Sequence, residues 1–99
     1  MTVNYEWDVE TVTAAEGAGR EEKEVLDHRF CTSYVQARKI ADGTAPEGCR
    51  YEIVLVRDDD DRRSWAYLID GVLPDYAEDA NGDDYGKIPK RFRDEVAET

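Results

Sequence analysis

The four consecutive aspartates Asp58–Asp61 are the most conspicuous chemical feature of the sequence. Carboxylate oxygens are the ligands that hard cations prefer, but they must surround the ion from a loop that turns. Four adjacent aspartates repel one another and cannot all converge on one ion. We therefore expect Asp58–Asp61 to form a solvated loop, which could bind a basic partner.

A second acidic segment, residues 79–86, places oxygen-bearing side chains at relative positions 1, 3 and 5 of a calcium loop. Asp84 then stands where such a loop needs glycine, and Lys90 stands where it needs a bidentate glutamate. The match to a calcium site is therefore weak. Asp79, Asp83 and Asp84 remain candidates for partner binding, and Asn81-Gly82 predicts a turn.

Glu6, Asp8 and Glu10 alternate with apolar residues and give the sharpest functional hypothesis. Alternate residues of a strand lie roughly 6.6 Å apart on one face. Each strand of duplex DNA presents one charge per ~3.4 Å of axis. A stripe of carboxylates with a nearby acidic loop could thus imitate a phosphate track for a basic groove, and an ordinary solvated sheet face is the alternative.

The sequence offers little for catalysis. It has one histidine, His28, and two cysteines, Cys31 and Cys49, without a C-x-x-C pair, so the ligands of a structural zinc site are lacking. Cys31 projects to the opposite face of a strand from His28, which argues against a Cys–His dyad. No nucleotide-binding or hydrolase motif occurs. We expect a non-enzymatic protein with no catalytic residue, metal or cofactor.

The net charge of −11 is segregated along the chain. Residues 1–16 carry −4 and residues 58–86 carry −8, whereas residues 17–57 are neutral and residues 87–99 carry +1. Such a surface repels nucleic acids and anionic membranes and attracts basic protein surfaces or cations. The expected partner is therefore a basic protein surface, with a homodimer left open.

The elements that must position these side chains follow from hydrophobic periodicity and turn residues. Strands are predicted at 3–13, 24–31, 51–57 and 64–70, with a turn at 14–19, a helix from the N-cap Ser33 to Gly43, and a short helix opened by Pro89. The near-continuous apolar run at 51–57 indicates a central strand that is covered on both faces.

The order β-β-α-β-β-α predicts one α+β domain over residues 1–99, with a four-stranded, mostly antiparallel sheet. One main helix packs on a face of this sheet, and a short C-terminal helix follows. No apolar run approaches the ~20 residues that a membrane span needs, and no signal peptide is evident, so a cytoplasmic location is expected.

Four segments resemble those of small acidic proteins encoded by phages and prophages of proteobacteria. They are residues 5–10, 51–58, 65–67 and 89–92. Such proteins include anti-CRISPR and anti-restriction inhibitors, some of which imitate DNA. The resemblance implies a binding protein that inhibits a nucleic-acid-handling protein of the host. The alternative is an interaction or assembly module whose acidity serves only solubility. Such a module could form a homodimer.

Overall fold

The computed structural model describes residues 2–13 and 23–99; the turn predicted at 14–19 lies outside these residues. The described residues form six strands and two helices. These are β1 (Asn4–Thr13), β2 (Val25–Cys31), α1 (Tyr34–Ala41), β3 (Cys49–Asp58), β4 (Arg63–Tyr67), β5 (Tyr76–Glu78), β6 (Asp84–Lys87) and α2 (Lys90–Ala97).

The predicted α+β class is confirmed, but the sheet has six strands in the order β2-β1-β3-β4-β5-β6, not four. All neighbouring pairs are antiparallel. The two additional strands lie in the segment expected to be irregular. They are only three and four residues long, which is too short to show apolar alternation. The turn at Asn81-Gly82 is confirmed, and Gly82 adopts a φ of +84°, which glycine accommodates without strain.

The core lies between one face of the sheet and both helices. Trp7 and Val9 of β1 point into it, as their alternation predicts, and both are buried. The ring of Trp7 packs against Tyr34 of α1, 5.1 Å away between centroids, and against Phe92 of α2 at 6.2 Å. The core also includes Ile53, Leu55, Ala66 and Ala77 from β3, β4 and β5, with Ile88 and Val96 from the C-terminal part of the chain.

The central position predicted for β3 is confirmed, because β3 lies between β1 and β4. Ile53 and Leu55 face the helices, and Val54 and Val56 lie on the opposite face. All four side chains are buried. The apolar run in the sequence therefore reflects burial on both faces of this strand.

Both helices begin close to the predicted residues. Ser33 caps α1, with its Oγ accepting a hydrogen bond from the backbone N–H of Gln36 at 3.3 Å. Pro89 directly precedes α2 rather than occupying its first turn, which is a shift of one residue. Neither helix of the described residues is long and apolar enough to cross a membrane.

Candidate functional site

One end of the sheet gathers both acidic segments. β3 and β5 run in the same direction, because each pairs antiparallel with β4, so the turns that follow them lie at the same end. β1 begins there too, since Asn4 pairs with Asp58. Residues 58–63 and 79–84 carry seven carboxylates and two guanidinium groups, a formal charge of −5. We call these two segments, together with Glu6, the acidic end.

Asp59 organises the first turn of the acidic end. Its Oδ1 accepts hydrogen bonds from the backbone N–H groups of Asp61 and Arg62, both at 2.8 Å, and its Oδ2 accepts one from Arg57 at 2.9 Å. The Arg62 N–H, with these other donors, holds the pKa of Asp59 well below its ordinary value. The Asp59 side chain is only 2% exposed. It was predicted to contact a partner in a solvated loop, and the expectation that it lies in water is wrong.

Asp79 plays the same part in the second turn. Its Oδ1 accepts hydrogen bonds from the N–H groups of Asn81 at 2.9 Å and Asp83 at 3.1 Å, while its Oδ2 accepts one from Arg62 at 2.8 Å. Burial opposes ionisation of Asp79, but these donors together lower its pKa. Both oxygens are therefore engaged by protein donors. This arrangement corrects the prediction that Asp79 is an exposed binding residue, and it does not support the calcium loop.

The contacts that arginine side chains make at the acidic end escaped the sequence analysis. The guanidinium of Arg62 lies 4.6 Å from the ring centroid of Tyr85, and that of Arg57 lies 5.3 Å from it. A hydrogen bond to Asp59 raises the pKa of the Tyr85 hydroxyl. The adjacency of Arg62 and Arg63 to the aspartate run was the available signal. Arginines next to aspartates in a sequence indicate ion pairs within the protein, and in this structure such pairs hold the turns in place.

The other predicted acids of this end remain accessible. Asp58 is half-buried and accepts a hydrogen bond from Nε of Arg63 at 2.7 Å. The five exposed acids at this end are Glu6, Asp60, Asp61, Asp83 and Asp84. The structure thus brings together eight of the ten predicted site residues and leaves five of them exposed.

A hollow of about 260 Å³ lies between the two turns. Its walls are formed by Arg62, Arg63, Trp65, Asp79, Ala80 and Asn81. The half-buried indole of Trp65 gives this otherwise polar end an apolar surface. An aromatic side chain framed by charges is typical of an anchor point in a protein interface.

Asp8 and Glu10 are separated from the acidic end by burial. They are 1% and 3% exposed, so the expectation that they form a solvated stripe with Glu6 is wrong. Asp8 accepts hydrogen bonds from Nδ1 of His28 at 2.7 Å and from the backbone N–H of Arg29 at 3.1 Å. Glu10 accepts one from the hydroxyl of Tyr67 at 3.0 Å. These carboxylates are bound by side chains of β2 and β4, whose positions beside β1 the sequence could not predict.

His28 lies between these two carboxylates. Its Nδ1 is 3.9 Å from Oε2 of Glu10, and one donor atom from each of Asp8, Glu10 and His28 lies within 4.8 Å of the others. The hydrogen bond to Asp8 raises the pKa of His28, and burial raises the pKa of Glu10. The sequence analysis considered His28 only as a zinc ligand and as a partner for Cys31. The signal available was the β1–β2 hairpin, whose register sets Glu10 directly opposite His28.

No protein-family model, curated protein or solved structure matches this chain.

Proposed function

We propose that this chain is a non-enzymatic binding protein whose acidic end occupies a basic surface on a host protein that handles nucleic acid. The observation that supports this proposal most directly is that the two acidic turns lie together, joined by the 2.8 Å contact between Arg62 and Asp79. Eight carboxylates, Glu6 included, against two guanidinium groups give this end a strong negative potential. Such a potential accelerates association with a basic surface and discriminates against acidic ones.

The internal hydrogen bonds of the turns support this function. Asp59 and Asp79 use their carboxylates to fix the backbone, so the exposed acids Asp60, Asp61 and Asp83 are carried on ordered turns. A preorganised turn loses less conformational entropy when it binds than a floppy acidic loop does. Trp65, in the hollow between the turns, supplies apolar contact area.

The concrete form of the proposal is an inhibitor of the anti-CRISPR or DNA-mimic type, derived from a phage or prophage. It rests on the resemblance of four segments to phage proteins and on the charge of the acidic end. The carboxylates that replace phosphates are those of the two turns and Glu6. Asp8 and Glu10 take no part, because a buried carboxylate cannot meet a partner's lysine or arginine.

Competition with duplex DNA tests this function. The chain is immobilised, exposed to lysate of a proteobacterium, and washed, and retained proteins are challenged with duplex DNA. We expect a nucleic-acid-binding protein that DNA displaces, with retention falling steeply as salt is raised. A variant with Asp60, Asp61 and Asp83 changed to lysine should lose this protein, since its acidic end is largely neutralised.

The matched control changes Glu24, Glu47 and Glu98 to lysine. These exposed residues lie outside the acidic end, and the control alters net charge by the same amount. Retention by the control and loss by the acidic-end variant support the proposal. Equal retention by both variants, or a captured protein that DNA does not displace, would contradict it.

A second candidate, an assembly module that dimerises through the edge strand β2, is favoured by the exposed side chains of that strand. Leu26 and Phe30 are 54% and 52% exposed. Antiparallel pairing of two β2 strands centred on His28 would set Leu26 opposite Phe30 and Asp27 opposite Arg29 of the second copy. Apolar pairs and opposite charges across strands both stabilise a sheet.

Size-exclusion chromatography with light scattering over a wide concentration range separates the two candidates. A dimer that Phe30→Lys abolishes would favour the assembly module. A monomer throughout would remove this candidate and leave the binding protein.

A further inference from the structure

The β1–β2 hairpin sets three metal-ligating side chains on one face of the sheet. Glu10 is paired directly with His28, and Asp8 follows the same face two residues earlier. Directly opposite residues have Cβ atoms roughly 4.5–5.5 Å apart, which is close enough for both side chains to reach one ion. The donor atoms of all three residues already lie within 4.8 Å of one another.

The charges of this cluster are unbalanced. The side chains of Asp8 and Glu10 are 2% and 4% exposed, and one imidazole faces both. Lys23, whose charge favours ionised Glu10, is itself bound to Glu52 at 2.6 Å. Protonated His28 neutralises one carboxylate, whereas a divalent cation with a neutral imidazole neutralises both. Buried charges require such compensation.

The separations between donor atoms suit a small ion. Ligands about 2.1 Å from a tetrahedral centre are roughly 3.4 Å apart. The distances from Nδ1 of His28 to Asp8 Oδ2 and Glu10 Oε2 are 2.7 and 3.9 Å, on either side of that value. Small rotations of the side chains would therefore bring the three donors to one centre.

Neighbouring groups hold the two carboxylates in place, and the site stays open to an ion from solvent. The N–H of Arg29 donates to Oδ1 of Asp8, and the hydroxyl of Tyr67 donates to Glu10. Hydrogen bonds of this kind orient ligands around protein-bound metals. The His28 side chain is 50% exposed, so an ion can enter from solvent and keep a water as its fourth ligand.

From this geometry we propose that Asp8, Glu10 and His28 bind one divalent transition-metal ion of the Zn²⁺ class. An imidazole nitrogen with two carboxylate oxygens suits Zn²⁺, whereas Mg²⁺ and Ca²⁺ prefer sites made of oxygen alone. The site is distinct from the acidic end and does not rest on the proposed function. The sequence analysis missed it because, for zinc, it counted only thiolate and imidazole ligands, and it sought carboxylate ligands only in the two acidic turns.

Calorimetric titration of Zn²⁺ into the tag-free, reduced and chelator-treated full chain tests the site. We expect one ion per chain, with no comparable heat from Mg²⁺. His28→Gln should weaken binding at least about tenfold, because it removes the nitrogen ligand. His28 lies half-exposed on an edge strand, so this variant is expected to fold, which circular dichroism verifies. Asp27→Asn is the matched control, since it removes a neighbouring charge from the other face of β2.

Co²⁺ provides a second readout that identifies the ligands. Bound at this site, it should give visible absorption typical of four or five nitrogen and oxygen ligands, without thiolate charge-transfer bands. Absence of Zn²⁺ binding, unchanged affinity in His28→Gln, or thiolate bands from Cys31 or Cys49 would each overturn the site. These results are independent of the partner-capture experiment, which changes residues of the acidic end alone.

Discussion

The guanidinium of Arg62 lies 2.8 Å from Oδ2 of Asp79 and thereby joins the turn after β3 to the turn after β5. The two residues are 17 positions apart in the chain. Without this contact the Asp79 carboxylate, 4% exposed, would lack its guanidinium partner. The pair therefore determines whether the two acidic turns act as one surface.

Arg62→Gln should loosen the second turn. The amides of Asn81 and Asp83, which donate to Asp79, are expected to exchange their hydrogens faster, because the carboxylate that holds them loses its anchor. Hydrogen exchange followed by NMR measures this. Arg63→Gln is the control, since Arg63 pairs with Asp58 inside the first hairpin. Equal acceleration in both variants would show that the bridge is not what orders the turn.

Gly86→Ala should destabilise the fold more than Gly82→Ala. Both glycines have positive φ, +97° and +84°, so either substitution strains the backbone by about 1–2 kcal/mol. A Cβ at Gly86 would also lie 2.5 Å from Nε of Arg57, whereas one at Gly82 meets open space. Displacing Arg57 disturbs its contact with Asp59, and overpacking adds about 1–3 kcal/mol.

Urea unfolding of the two glycine variants measures that difference directly. Gly82→Ala serves as the control for backbone strain alone. Equal losses would mean that the Arg57 side chain moves aside freely and that its position at Gly86 has no consequence for stability.

The contribution of His28 to stability should depend on pH. The acids that act on it are Asp8 and Glu10 from β1, which face it, and Asp27 on the other face of its own strand, and the Asp8 hydrogen bond raises the pKa of His28 above 6.5. A raised histidine pKa stabilises the fold fully below the unfolded value and loses that effect as pH rises through the folded value.

His28→Asn removes this proton-linked effect. The free-energy difference between wild type and variant, measured by urea unfolding in chelator, should be larger at about pH 6 than at about pH 9. Glu24→Gln, at an exposed acid directly before β2, is the control for a change of charge nearby. A difference that does not vary with pH would show that protonation of His28 is not coupled to folding.

Leu55→Ala should cost about 2–5 kcal/mol, because it removes a fully buried side chain at the centre of the sheet. Val35→Ala, at a position 47% exposed on α1, should stay within about 0.5 kcal/mol. Thermal and urea unfolding both measure these changes. A loss at Leu55 no larger than at Val35 would place the core elsewhere than between β3 and the helices.

The sequence by itself determined the elements whose signals are local. The alternation around Trp7 and Val9, the apolar run of β3, the Ser33 cap and the Asn81-Gly82 turn each depend on neighbours within a few residues. Four strands, both helices and the α+β class follow from them. β5 and β6 escaped because β5 pairs with β4 and β6 with β5 through tertiary contacts, and their three and four residues are too short to carry a period.

The tertiary structure alone decided which carboxylates meet water. Glu6, Asp8 and Glu10 are equivalent by alternation, yet Glu6 is exposed and the other two are buried. The difference comes from His28 on β2 and Tyr67 on β4, which are distant along the chain. Likewise the two acidic turns converge because antiparallel pairing through β4 returns β5 to the same end. The positions of charged residues can be read directly from the sequence. Their exposure and the residues around them depend on strand order and register.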